Sequence, residues 1–322
     1  MIYHTYDSYD DILQSQYLHG DIYITDHLNG FDQNRRNYIL DHLNTIAFPH
    51  RVYVNYALDD DIIRHYNNLN LQFIFQKRAF DYFDGFTTTV PCDFKTFVCS
   101  FNGSPHVSKQ LLTSALHKMG WFDPDHCSKN FTTSRDRVDG NVQTLLNDSS
   151  TEPFYRKFII DDQDDKFYNS EFGFDFNRTD HTKNIQLLES KLTGSFVHLI
   201  AETVGTTYYP FVTEKFVYSV VTRGLFVAYA QPGWHKHIEK YFGFRHYTQL
   251  FDYSFDQIQN PIQRLVAIIG MLSKFSNLSR QDWHDLYLLE QDTIEYNYDH
   301  FVSKNYLKLF PESLDILPKP LV

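Results

Sequence analysis

Along the first eighty residues the chain switches between two hydrophobic patterns. Short runs rich in β-branched and aromatic residues, "DIYITD" (21–26), "RVYVNYA" (51–57) and "LQFIFQKRAF" (71–80), read as strands. Between them, "QNRRNYILDHLN" (33–44) and "DDIIRHYNNL" (60–69) bring apolar residues round at helical intervals. Strands alternating with helices mean βαβ units, and hence a parallel sheet covered by helices.

A second series starts near residue 93. "FKTFVCSFNG" (94–103) reads as a strand and "HVSKQLLTSALHKMG" (106–120) as a helix, with Gly120 as its terminator. Residues 138–190 are polar and aromatic without a clear period, and are expected to form an irregular insertion. Regular patterning returns with a strand, "SFVHLIAET", a helix, "TEKFVYSVVTRG", a strand, "LFVAYAQ", and a helix, "WHKHIEKYFG". Two longer helical patterns follow at 261–275 and 280–302, and Pro261 suits the first turn of the former. The expected fold class is α/β: two Rossmann-like lobes, 1–92 and 93–322, facing across a cleft, with helices at the C-terminal end.

Composition narrows the classes. A chain of 322 residues can carry two cores, and 42% hydrophobic with 17% aromatic content excludes disorder. No apolar run approaches the roughly 20 residues of a membrane span. The start, "MIYHTYDSYDDILQ", has neither a basic nor an apolar region of a secretory signal. Cys92, Cys99 and Cys127 form no CxxC, so reduced thiols in a cytoplasmic setting are expected. A net charge of −11 argues against a general nucleic-acid binder, though a local basic cleft remains compatible with it.

In parallel sheets ligands gather outside the carboxyl ends of the strands. Three segments of the second series follow strands. The first holds Asn102, Gly103, Ser104, Pro105 and His106, with Lys109 on the next helix's first turn. The second holds Glu202 and Thr203, then a loop that delivers Thr213, Glu214 and Lys215. The third holds Gln231, Pro232 and Gly233. Lys215 is the odd residue, because a helix's first turn carries positive partial charge and disfavours a cation. An anion between the lysine and the helix N-terminus would remove the conflict. The competing reading makes Thr213 an ordinary N-cap, Glu214 a dipole complement and Lys215 a solvated side chain.

The segment "AETVGTTYYPFVTEKFVYSVVTRGLFVAYAQPGWHKHIEKYFGFRHY" resembles the donor-binding part of GT-B glycosyltransferases of the α1,3-fucosyltransferase type, and more closely their bacterial and viral relatives. The shared positions are Glu202-Thr203, Phe211 to Lys215, Gly224 and Gly243-Phe244, with "FNGSPHVSKQ" as the upstream companion. The likeness covers about 93–135 and 195–270 and is most specific over the Thr-Glu-Lys block. It implies a GT-B fold and transfer of a sugar from a nucleotide-diphosphate sugar, GDP- or UDP-linked, with no cofactor required. Lys215 would then neutralise the leaving diphosphate, Glu214 or Glu202 would hold ribose or base, and Asn102 would line the phosphate site. His106 and Lys109 stand where relatives often carry Arg, and a lysine lacks the bidentate fork. The usual proline after Gly224 is missing.

An inverting transfer needs a base for the acceptor hydroxyl. Asp26 and His27, directly after the first strand, are the candidates. A helix-capping role for Asp26 is the alternative. The acceptor would be a glycan or a hydroxylated DNA base.

"FIIDDQDD" offers Asp162 and Asp164 as a D-x-D that could hold a divalent cation on a diphosphate. The same residues also read as a solvated acidic loop. His235 and His237 are two apart and so diverge on a helix. Motifs of hydrolases, P-loop NTPases and dinucleotide enzymes are absent from the sequence. A degenerate fold that binds nucleotide or glycan without catalysis remains the non-enzymatic option.

Overall fold

The computed structural model describes residues 22–24, 33–54, 60–73, 88, 90–91, 93–102, 107–123, 127–129, 181–202 and 212–306. The protein is α/β, built on parallel sheets, and divides into two compact units. Described residues up to 73 belong to the first and those from 88 onward to the second.

In the first unit, β1 (Ile22–Ile24), β2 (Arg51–Val54) and β3 (Asn70–Phe73) pair in parallel in that order. The connecting helices are α1 (Gln33–Thr45) and α2 (Asp60–His65). Ile39, Leu40 and Leu43 put one face of α1 in the core beside Val52 and Tyr53. Residues 55–57 and 74–80, which the patterning also assigned to strands, lie outside the described residues.

The second compact unit includes Thr88. Thr88 is tied into it, since its hydroxyl donates to the Val221 carbonyl and its own carbonyl accepts from Arg223 Nη1. Its sheet contains β4 (Thr96–Asn102), β5 (Cys127–Lys129), β6 (Ser195–Ala201) and β7 (Leu225–Tyr229), all parallel, in the order β5-β4-β6-β7. The chain leaves β4 through α3 (Val107–Lys118) toward β5 on one side. It then crosses through α4 (His181–Thr193) to β6 on the other, and α5 (Glu214–Val221) carries it on to β7. The strand order therefore reverses between β4 and β6.

Two aromatic layers hold this sheet. Phe196 stacks on the indole of Trp283 at 5.9 Å, and Phe97 stacks on the same indole at 5.7 Å. Phe216 of α5 meets Phe226, Trp234 and Phe244 edge-on at 5.1, 5.6 and 5.0 Å. The later helices are α6 (Trp234–Phe242), α7 (Pro261–Leu272), α8 (Arg280–Leu289) and α9 (Gln291–Val302). Pro261 does open α7, and Asn260 caps it by accepting from the backbone of Ile262 and Gln263.

Three departures from the patterning have physical reasons. Residues 181–193 fall largely within the stretch read as irregular, yet they form α4, whose Ile185, Leu188 and Leu192 are buried at helical spacing. Strand β5 has only three residues, too few to show a period. The pattern over 280–302 is two helices, broken where the buried Glu290 turns its carboxylate to accept the Gln249 N–H at 2.6 Å.

Candidate functional site at the strand reversal

Open parallel sheets bind ligands where the strand order reverses, at the carboxyl edge. In the second unit that edge carries Asn102 at the end of β4 and Glu202 just after β6. The first turns of α3 and α5 stand beside them. Ser108 of α3 donates its hydroxyl to the Glu202 carbonyl at 2.8 Å, which fixes that helix start against the end of β6. Glu202 Oε1 accepts the backbone N–H of Thr213 at 3.1 Å, which fixes the start of α5 to the same residue. Asn102 is buried and donates to Ser100 Oγ at 3.0 Å.

Thr213 is the N-cap expected of it, in extended conformation, with its hydroxyl accepting from the Lys215 backbone N–H at 3.4 Å. The Lys215 side chain is not solvated. Only 11% of it is exposed, and its ammonium donates to Glu214 Oε1 at 3.0 Å and to the Thr213 hydroxyl at 3.4 Å. A cation in the first turn is thus matched by a neighbouring carboxylate, which offsets its conflict with the dipole.

Four ionisable groups share this edge: Lys109, Glu202, Glu214 and Lys215. Burial works against the charge of Lys215, but Glu214 and Glu202 outweigh it and its pKa is raised. Burial also works against the charge of Glu214, yet the adjacent ammonium of Lys215 holds it down at about 2. Lys109 fares worse. Burial and then repulsion from Lys215 lower it to about 7, with Glu214 and Glu202 only partly opposing. Burial raises Glu202 to about 7, despite Lys215 and the hydrogen bonds from Thr213. Glu202 is fully buried, and its Oε2 has no hydrogen-bond partner among the described residues.

Of the residues singled out from sequence, Asn102, Lys109, Glu202, Thr213, Glu214 and Lys215 come together here. Asp26, His27, His106, Thr203, Asp162 and Asp164 lie outside the described residues. Ser108 was not singled out from sequence, and Gln231 was placed among the post-strand residues without a role. Ser108 sits one residue before Lys109 and has no distinctive spacing. Gln231 follows β7 at the same edge and is fully buried, with neither side-chain oxygen nor nitrogen hydrogen-bonded among the described residues.

A cavity of about 20 Å³ lies against Cys99, Ser100, His198, Lys215, Tyr218 and Ser219. It has room for about one water and is too small for a substrate. His235 is buried. Its Nε2 accepts the Ala228 N–H at 3.1 Å, and burial together with the neighbouring His246 pushes its pKa well down. Among the described residues no group of three or more His, Cys, Asp or Glu side chains could hold a metal ion, and no helix is long and apolar enough to cross a membrane.

Fold and site together define an α/β protein with two buried lysines and two carboxylates at the carboxyl edge of a parallel sheet, where the strand order reverses. Neither a protein-family model nor a curated protein matches the chain.

Proposed function

We propose that the protein is a glycosyltransferase of GT-B type that takes a sugar from a nucleotide-diphosphate donor. The observation that carries this reading is the charge balance at the strand reversal. Two lysines stand on the first turns of two helices, and burial, with repulsion from Lys215, lowers Lys109 to about 7. A bound diphosphate would add negative charge beside both ammonium groups and would accept from the helix N-termini as well.

In this reading Lys215 and Lys109 neutralise the diphosphate as it leaves, and Asn102 with Thr213 lines the phosphate site. Glu214 or Glu202 holds the ribose or base. Asp26 or His27 is proposed as the base that takes the proton of the acceptor hydroxyl. His106 and Thr203 are proposed to complete the donor site. The acceptor class is a glycan or a hydroxylated DNA base. The transfer itself needs no metal: the C–O bond to the leaving diphosphate breaks as the acceptor oxygen bonds to the anomeric carbon.

The test is thermal unfolding with nucleoside diphosphates and their sugars, with and without Mn²⁺, on the wild type and on Lys215→Ala. Stabilisation by one diphosphate without metal, lost in the variant, is expected. Stabilisation only with Mn²⁺ would shift the reading to a metal-dependent enzyme using Asp162 and Asp164. Stabilisation with no donor hydrolysis or transfer under any condition would make the protein a binding module. Binding of duplex DNA that weakens steeply with salt would favour the DNA acceptor.

A further inference from the structure

Gln231 carries an energetic cost that its fold does not explain. The residue is fully buried, and among the described residues neither Oε1 nor Nε2 finds a hydrogen-bond partner. An amide buried without partners destabilises a protein, whereas an apolar side chain of the same shape would not.

The backbone around it is firmly held. The Gln231 carbonyl accepts from the Trp234 N–H at 3.3 Å, and Gly233, in the left-handed region at φ 77°, donates its N–H to the Asp256 carbonyl at 2.7 Å. The unmet amide therefore belongs to a fixed turn.

Its location is the carboxyl edge already described. Gln231 stands two residues beyond the end of β7, next to the end of β6, since the Glu202 N–H donates to the Tyr229 carbonyl at 3.2 Å. Glu202 Oε2 is unmet too. Adjacent strand ends thus hold, both buried, a spare carboxylate oxygen and an in-plane donor–acceptor pair. Diphosphate oxygens suit the pair only in part: they repel the carboxylate and can accept from Nε2, but donate nothing to Oε1. A nucleobase edge suits the amide, which can donate to a ring carbonyl or nitrogen while accepting from an adjacent N–H.

We infer that Gln231 reads the nucleobase of the donor, making two parallel hydrogen bonds to its edge. The inference rests on the nucleotide-donor reading above and adds the residue that selects the base.

The full-length wild type, Gln231→Leu and Gln231→Met are compared by thermal unfolding and by titration with GDP, UDP, ADP, CDP and inorganic pyrophosphate. The wild type should prefer one nucleotide. Both variants should unfold at a higher temperature than wild type without ligand and keep the response to pyrophosphate. Their preference among the four bases should fall by about tenfold or more. Lower ligand-free stability in both variants would overturn the inference, because the amide would then be structural. An unchanged base preference would overturn it as well, while leaving the nucleotide-donor reading intact. A wild type that responds to none of the four nucleotides would remove that reading, and this inference with it.

Discussion

Gly224 lies flat against the imidazole of His198. A Cβ added to Gly224 would stand 2.1 Å from the ring's Cε1 and 2.4 and 2.6 Å from its two nitrogens. The ring cannot retreat easily, because its Nε2–H donates to the Leu192 carbonyl at 2.8 Å. On the other side the Tyr247 hydroxyl donates to the Gly224 carbonyl at 3.1 Å. Gly224→Ala should therefore destabilise the protein by about 1–3 kcal/mol or more, read as a lower denaturant midpoint. A variant as stable as wild type would show that no such contact exists in solution.

The same imidazole should make the protein acid-sensitive. Burial lowers its pKa from 6.5 to about 4, with the hydrogen bond to Leu192 only partly opposing. The unfolded chain gains a proton below pH 6.5 while the native ring stays neutral until about pH 4. Stability from this group is thus present above pH 6.5 and declines by about 3 kcal/mol as pH falls to 4. Relative to wild type, His198→Gln should gain stability as pH falls through that window. Denaturation curves at several pH values provide the measurement.

Glu202 works in the opposite direction. Its folded pKa, raised by burial from 4.5 to about 7, means that the native carboxyl keeps its proton where the unfolded one has lost it. Its contribution is complete below pH 4.5 and disappears as pH rises through 7. Glu202→Gln should match wild type near pH 5 and be more stable at pH 8, by up to about 3 kcal/mol. Since this slope and that of His198 overlap with opposite sign, the wild-type profile between pH 5 and 6.5 should be flatter than either variant's.

Lys109 sets the expected pH dependence of ligand affinity. A group lowered to about 7 by burial and by Lys215 loses its charge just above neutrality, where Glu202 also gains one. Nucleoside diphosphates should bind up to about tenfold more weakly per pH unit above 7 in the wild type. Arginine stays charged throughout. Lys109→Arg should flatten the profile in part, and Lys109→Arg combined with Glu202→Gln should flatten it fully. A double variant with the wild-type slope would exclude both groups as its origin.

Asp256 supplies the cap that Gly233 cannot. Its carboxylate accepts the N–H groups of His235 at 3.2 Å and Lys236 at 3.1 Å, in the first turn of α6. Asp256→Ala should cost about 1–2 kcal/mol in a denaturant titration. Asp256→Asn, which keeps an acceptor oxygen, should cost less.

The parallel sheets were legible because Val, Ile and Phe cluster in short runs between helical patterns, and burial of both faces enforces that composition. The Thr213 cap and the Pro261 start were legible because each depends on a few local bonds. The partners of Lys215 were not. Glu214 is adjacent in sequence, but the approach of Glu202 and Lys109 depends on β6 and α3 meeting through Ser108, a contact between residues 94 apart. The left-handed position after α5 was also hidden. It belongs to Arg223, at φ 54°, rather than to Gly224. That strain is offset by an ion pair to Glu295 at 3.1 Å and a stack on the Tyr298 ring at 3.5 Å, neither of which local sequence reveals. Of the candidate site, the residue types and their places after strands were readable, while the charge balance required the fold.

The pairing of β4 with β6 joins Thr96 to Ser195 across 99 positions of chain, with their hydroxyls 2.9 Å apart. Closing so long a loop has an entropic cost that local contacts do not repay, so such sheets condense slowly. On a ribosome, β4 would wait exposed until its neighbour had been synthesised. The lysine and carboxylate edge would then be among the last features to mature, and a chain truncated before β6 would carry Lys109 without Glu202, Glu214 or Lys215.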